Sequence, residues 1–403
     1  MVKAINKNGT SAKTIRVCML TYSFYENDGR VKRYAETLAR RGDHVDIVAL
    51  KKPGQADFEV INSVKVYRIQ TRTPDEKGKL SYFVKLFRFL LHSAWFLTKR
   101  HLAARYQLIH VHSIPDFEVF AAVLPKLFGA KIILDIHDIV PELYVSKFRS
   151  KPDGILFKAL VKMENWACAF SDHVIASNHI WEGKLVARSV AKEKCTTLLN
   201  YPDPHIFQLK DRTRTDDKFV MIYPGTLNWH QGLDIAINAF EKIAPKLPKA
   251  ELHIYGRGSE LDSLKMLAAS KGLSDRILFW DPKPIEYIAD MMANADLGII
   301  PERNDPFGGE AFSTKSLEFM SMGVPVIMSE TKIDNYYFND KVVRFFKPDN
   351  ADALATTMYE LASNEKLRIT YAKAALKFVE DFSWGVKQQD YLGIVDRLCP
   401  QGA

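Results

Sequence analysis

Apolar runs and helical stripes take turns along the first half of the chain. IRVCMLTY is an apolar run bounded by polar residues. In GRVKRYAETLARRG, Val31, Tyr34, Ala35 and Leu38 recur at helical spacing as far as Gly42. HVDIVAL and VKVYRIQ follow as strands, then a long basic helix over about 80–105, LIHVH, a helix over 117–127, KIILDIH, a helix over about 155–170 and HVIAS. Strands of nearly continuous apolar character between helices predict a parallel sheet covered on both faces.

The second half repeats the theme. FVMIYPG, ELHIYGRG, RILFW, LGIIPE and VVRFF read as strands. Between and after them LDIAINAFEKIAPKL, SELDSLKMLAASKG, IEYIADMMANA, ALATTMYELASN and two segments of the tail read as helices. GGEAFSTKSLEFMSMGVPVIMS reads as loop, helix and strand, with Gly323 ending the helix. Between the halves, NYPDPHIFQLKDRTRTDDK is polar, proline-rich and aperiodic, which marks a junction. A chain of 403 residues exceeds what one hydrophobic core usually serves. The expectation is two doubly wound domains, 1–205 and 206–403, with the last helix crossing back to the first. Ligands of open parallel sheets bind beyond the carboxyl ends of the strands, so two such lobes facing each other would line one cleft for a two-part substrate.

Composition adds constraints. Hydrophobic residues are 47% and charged ones 26%, as in a soluble globular protein. The four cysteines, at 18, 168, 195 and 399, form no close pairs, which argues against zinc and a disulfide framework and for a reducing, cytoplasmic compartment. The polar N-terminal MVKAINKNGTSAKTIRV reads as a loose tail, and no stretch of about 18 uncharged apolar residues predicts a membrane span. The net charge of +8 is uneven: residues 1–205 hold 32 Lys/Arg against 20 Asp/Glu, the remainder 24 against 28. That asymmetry predicts that the first half meets an anionic surface. No helix-turn-helix pattern, aromatic RNA-binding signature or Lys/Arg tract points to nucleic acid. Residues 79–105 carry six Lys/Arg, no acid, and Phe83, Phe87, Phe89, Trp95 and Phe96. This suits either peripheral contact with an anionic membrane on its cytoplasmic face or a core-facing helix with a solvated basic side.

Candidate chemistry concentrates in the loop–helix–strand passage. A helix starting near Ser313 or Thr314 would have a hydroxyl N-cap and free amides that attract phosphate. Glu310 precedes that end and Glu318 lies one turn inside; a carboxylate accepts two hydrogen bonds and suits neighbouring sugar hydroxyls. Phosphate between two hydroxylated groups describes a nucleotide sugar. The competing reading has Glu310 favouring the helix dipole and Glu318 merely solvated. Elsewhere His137 and Asp138 follow an apolar strand, where a site is expected, although a strand-end histidine often only packs or caps. In YSFYENDGRVKRY, Gly29 would admit close backbone approach and Arg30 could meet phosphate, with Asn27 and Asp28 near an acceptor.

GGEAFSTKSLEFMSMGVPVI resembles the signature of glycosyltransferase family 4: a Glu, seven residues, a second Glu, then Met–x–x–Gly–x–Pro–Val. The resemblance implies an α/β protein of GT-B architecture, two Rossmann-like doubly wound domains facing a central cleft. It implies a metal-independent, retaining transfer of a hexosyl group from a nucleoside diphosphate sugar to a glycan or lipid-linked acceptor, as in bacterial surface-polysaccharide assembly. That sugar would be a co-substrate, with no further cofactor. Glu310 would contact the donor sugar near the reacting centre, Glu318 the ribose hydroxyls and His137 the donor sugar. Asp138 and Glu142 would orient His137 or touch the acceptor. In YPGTLNWHQGLD, after Gly225, the family's diphosphate-gripping Arg and Lys are replaced by Thr226 and Gln231. The diphosphate would then rely on the amides around Phe312, Ser313 and Thr314, with Lys315, Arg303 or Arg30 as substitute cations and Lys315 preferred. Gly256 in IYGRGSE would form a backbone wall near the nucleotide, and the base would lie near 283–285. Two other readings stay open: a sugar-nucleotide epimerase of the same fold, and a non-catalytic assembly partner.

Overall fold

The computed structural model describes residues 14–72, 79–148, 151 and 154–400, so most of the expected N-terminal tail lies outside the described residues. Contacts divide the chain into two compact units. One comprises 1–144, 151–200 and 388–403; the other comprises 145–150 and 201–387. The division at Asn200/Tyr201 falls at the start of the polar stretch read as the junction, after its first residue, and most of the final helix, Trp384–Leu398, belongs with the first unit.

The first unit is built on β1 (Arg16–Thr21), β2 (His44–Lys51), β3 (Phe58–Ile61), β4 (Val64–Thr71), β5 (Leu108–Ser113), β6 (Lys131–Ile136), β7 (His173–Ala176) and β8 (Cys195–Thr197). Their order is β3-β4-β2-β1-β5-β6-β7-β8, parallel except for the β3–β4 hairpin at the edge. β1, β2, β5 and β6 are buried along nearly their whole length, which is why they read as unbroken apolar runs. β3 was not expected. Its FEVI lies exposed at the edge, so no buried run marks it, and Asn62 and Ser63 turn the chain with positive φ. The helix expected over 117–127 is instead 3₁₀ turns, Asp116–Ala122, and a short α-helix, Val123–Leu127. Pro125 sits in the first turn of that helix, where no amide is required.

The second unit carries β9 (Phe219–Pro224), β10 (Ala250–Tyr255), β11 (Ile277–Trp280), β12 (Leu297–Ile300), β13 (Val326–Ser329) and β14 (Arg344–Phe346), ordered β11-β10-β9-β12-β13-β14 and all parallel. Met221, Ile237, Phe240, Ile254, Leu297, Ile327, Leu354 and Met358 belong to its buried core. In each sheet the chain order reverses beside the first strand, at β1/β5 and at β9/β12. The carboxyl ends of those strands are where an open α/β sheet leaves a crevice.

Candidate functional site

At the carboxyl end of the first sheet, register does the assembly. β5 and β6 pair so that His112 stands opposite Asp135, and the two-residue period puts His110 with His112, and Asp135 with His137, on common faces. Asp135 is fully buried. Arg30, itself buried on the helix Gly29–Arg41, donates from Nε to Oδ2 at 2.9 Å and from Nη2 to Oδ1 at 2.5 Å. His112 Nδ1 lies 3.2 Å and His137 Nε2 3.1 Å from Oδ2, and the two ring nitrogens are 3.3 Å apart. His110 Nδ1 is 3.0 Å from the hydroxyl of Tyr391, which stacks on Tyr34 with centroids 4.3 Å apart. Burial opposes ionisation of Asp135, but the Arg30 charge and then His137 hold its carboxyl well below the usual range. Burial also lowers His112, against the pull of Asp135, and lowers His110 further, which favours the neutral ring in each.

This cluster revises several expectations. Arg30 is not a phosphate cation, because its guanidinium is committed to Asp135. Asp28 caps its helix: Oδ1 accepts from the Val31 amide at 3.2 Å and Oδ2 from Ser23 Oγ at 2.8 Å. Asn27 and Gly29 are exposed, and Asn27 Oδ1 accepts from Lys52 Nζ at 3.0 Å. Asp138 makes no hydrogen bond to the His137 ring among the described residues; it is half-buried, and burial pushes its carboxyl up. Glu142 does not orient His137 either, since it accepts from Arg188 Nη1 and Nη2 at 2.7 and 3.0 Å. Asp135, His112 and His110 were missed. Their signal was present in the i, i+2 pairs HVH and DIH, which put polar side chains on one face of otherwise apolar strands.

In the second unit the helix predicted from the Glu pair is Thr314–Ser321, followed by β13. Ser313 stands at its N-cap, but its side chain makes no capping bond, and its buried Oγ has no partner among the described residues. Thr314 is half-buried in the first turn. Glu310 lies in the loop ahead, and its Oε1 accepts from Lys332 Nζ at 3.0 Å; Glu318 is half-buried on the helix. The Phe312 ring packs against Tyr337 and Phe338, with centroids 4.8 and 5.9 Å away.

Lys315 is the centre of this region. Its Nζ is 3.4 Å from both Gln231 Oε1 and Glu302 Oε1 and 5.3 Å from the Tyr223 ring centroid. The Tyr223 hydroxyl is within hydrogen-bond reach of both Gln231 Oε1 and the Thr226 carbonyl, with one hydrogen to give, so Gln231 is an internal hydrogen-bonding group while the Thr226 side chain is exposed. Gly225 and Gly256 follow β9 and β10 with φ of 153° and 147°. A Cβ on Gly256 would fall 1.8 Å from the Gly225 carbonyl oxygen, so this glycine is required by loop-to-loop contact. Arg303 is not available as a substitute cation. It donates to Asp234 at 2.5 Å, to Asp349 at 2.7 Å and to the Trp229 carbonyl at 3.2 Å. Of the three cations considered, Lys315 alone keeps only long contacts. Glu302 and Tyr223, which surround it, carried no motif in the sequence.

His110, His112 and Asp135 form a buried group whose ligand-type atoms lie within 4.8 Å of one another. A metal fits poorly there, because Arg30 already occupies both carboxylate oxygens and brings a full positive charge.

Two parallel-sheet α/β units with polar groups gathered at the strand ends make up the GT-B fold. The family model described as glycosyl transferases group 1 matches residues 206–378, and that described as a glycosyl transferase 4-like domain matches 29–200. The chain belongs to the group 1 glycosyltransferases. It is 25% identical over 234 residues to the amylovoran biosynthesis glycosyltransferase AmsK of Erwinia amylovora, covering 57% of this chain and 58% of that one. The chain thus spans little more than half the length of the first curated relatives it matches. Among solved structures, sucrose-phosphate synthase from Thermosynechococcus elongatus superposes with a TM-score of 0.80 at 19% identity, over 95% of this chain and 99% of that one. Anabaena HepE in complex with UDP and glucose gives a TM-score of 0.71 at 15% identity, over 95% and 100%.

Proposed function

We propose that this chain is a retaining hexosyltransferase that takes a nucleoside diphosphate sugar and glycosylates a glycan or lipid-linked acceptor in bacterial surface-polysaccharide assembly. The observation that carries the reading is the start of the helix Thr314–Ser321. Its amides, Lys315 in the first turn, Glu310 ahead and Glu318 within form a phosphate site flanked by two hydroxyl acceptors. The Erwinia relative's name and the UDP and glucose bound by the Anabaena protein agree with this chemistry.

In this reading Lys315 and the helix amides stabilise the leaving diphosphate electrostatically, without a metal. Glu310 and His137 contact the donor sugar, Glu318 its ribose, and the first unit receives the acceptor. A thermal-shift panel of nucleoside diphosphates and their sugars tests the donor, because a ligand of the native state alone raises the midpoint. Turnover then separates the classes: transfer to an acceptor supports the proposal, isomerisation without one means an epimerase, and binding without turnover means an assembly partner. Full transfer by folded Glu310→Ala and His137→Ala variants would sink it.

We also propose that the first unit meets an anionic membrane through its long helix, Lys79–Ala103. Val84, Phe87, Leu91, Trp95 and Leu102 lie 52–68% exposed along it, and Lys99 Nζ stands 4.9 Å from the Trp95 ring centroid. Apolar and aromatic side chains bordered by lysines suit a headgroup interface. No helix among the described residues is long and apolar enough to cross a membrane. Equal sedimentation with anionic and neutral vesicles would refute this contact.

A further inference from the structure

The reading of His137 as a sugar contact leaves open how that ring meets its ligand, and its surroundings answer this. Asp135 is ionised beneath Arg30, so Oδ2 is purely an acceptor. A bare ring nitrogen 3.1 Å from an anionic oxygen would set two lone pairs against each other. His137 Nε2 must therefore carry the hydrogen that points at Oδ2, and by the same argument so must His112 Nδ1 at 3.2 Å. In neutral His137 the remaining nitrogen, Nδ1, then holds a lone pair. No described residue bonds it, and the side chain is 23% exposed. The backbone is fixed too, because Ser177 Oγ donates to the His137 carbonyl at 2.8 Å.

We propose that Asp135 is a positioning residue that pins His137 in its Nε2–H tautomer, so that Nδ1 accepts a hydrogen bond from a hydroxyl of the bound sugar. This rests on the assignment of His137 to the sugar. The bidentate Arg30 grip keeps the carboxylate from turning away, and His112, held on the same oxygen, closes its other side. A ligand group without a hydrogen to give, such as a fluoro or methoxy substituent in place of that hydroxyl, is then disfavoured at this position.

Nitrogen-15 spectra of histidine-labelled full-length protein, recorded without substrate, test the assignment. The expected result is a protonated Nε2 and a bare Nδ1 at His137, lost or mixed in Asp135→Asn, where an amide NH2 replaces one acceptor oxygen. The same variant is expected to lose transfer about 10- to 10²-fold, the usual cost of removing the partner that orients a functional histidine. A His137 protonated on Nδ1 in the wild type would overturn the proposal, as would an unchanged tautomer in a folded Asp135→Asn. Should that variant not fold, the wild-type spectrum alone decides. Because the tautomer is read without turnover, a wild type that shows the expected tautomer but transfers no sugar would refute the functional reading instead.

Discussion

Two cations mark the two units, and they are held in opposite ways. Arg30 meets Asp135 through bonds of 2.9 and 2.5 Å, and both side chains are buried. Lys315 lies 3.4 Å from each of two oxygens, over a tyrosine ring and beside a helix start. The first geometry satisfies its charge internally, so Arg30 is scaffold that orients other side chains. The second leaves donor capacity, since three N–H groups at long range are poorly used, and an incoming phosphate can tighten them. A positive charge next to a strand end is therefore a poor guide to ligand binding until its partners are known.

The sharpest break of this contrast is Arg30→Met, which strands a buried carboxylate. A loss of about 3–5 kcal/mol in urea-unfolding stability is expected, partly recovered by adding Asp135→Leu; a cost below about 1 kcal/mol would erase the distinction. Next in size, Lys315→Met is expected to lower transfer about 10²-fold or more. Calorimetry should show weakened binding of the nucleoside diphosphate with the uncharged nucleoside little affected. Equal weakening of both would remove Lys315 from the phosphates.

A third test asks why the Asp135 carboxyl is held low while two other buried acids of the same unit are pushed up. Burial pushes Asp116 to about 7 and Glu118 to about 9, with no guanidinium among the described residues bonded to either. For Asp116 the native state holds a proton that the unfolded state has released, so its stabilising effect is present below about pH 4 and lost as pH rises through about 7. Asp116→Asn should flatten that fall, which has a ceiling of about 4 kcal/mol, when stability is compared at pH 4 and pH 8. An unchanged slope would mean that the carboxyl is ionised. The smallest folding effect belongs to the exposed face. Trp95→Ser should alter stability by no more than about 0.5 kcal/mol yet reduce binding to anionic vesicles, read by sedimentation.

Much of the frame was legible because buried parallel strands cannot hide their apolar runs. The Glu310–Glu318 passage was legible because a loop, a helix start and a glycine stop are local signals. β3 escaped because an exposed edge strand has no apolar run. The helix over 117–127 was overstated because spacing alone does not separate 3₁₀ turns from α turns. Arg30, Arg303 and Glu142 were misread together. Each is a charged residue near a strand end, and its partner lies 46 to 105 residues away in sequence.

What the sequence alone determined is the element order, the two-sheet plan and the local chemistry at the helix start, since periodicity, turn residues and capping act over a few neighbours. Only the tertiary structure decided which charges are neutralised. Strand register brought His112 to Asp135, and the helix Gly29–Arg41 brought Arg30 to the same carboxylate. The reason is physical. The state of an ionisable group depends on burial and on charges within a few ångströms, and those neighbours are set by folding rather than by adjacency in the chain.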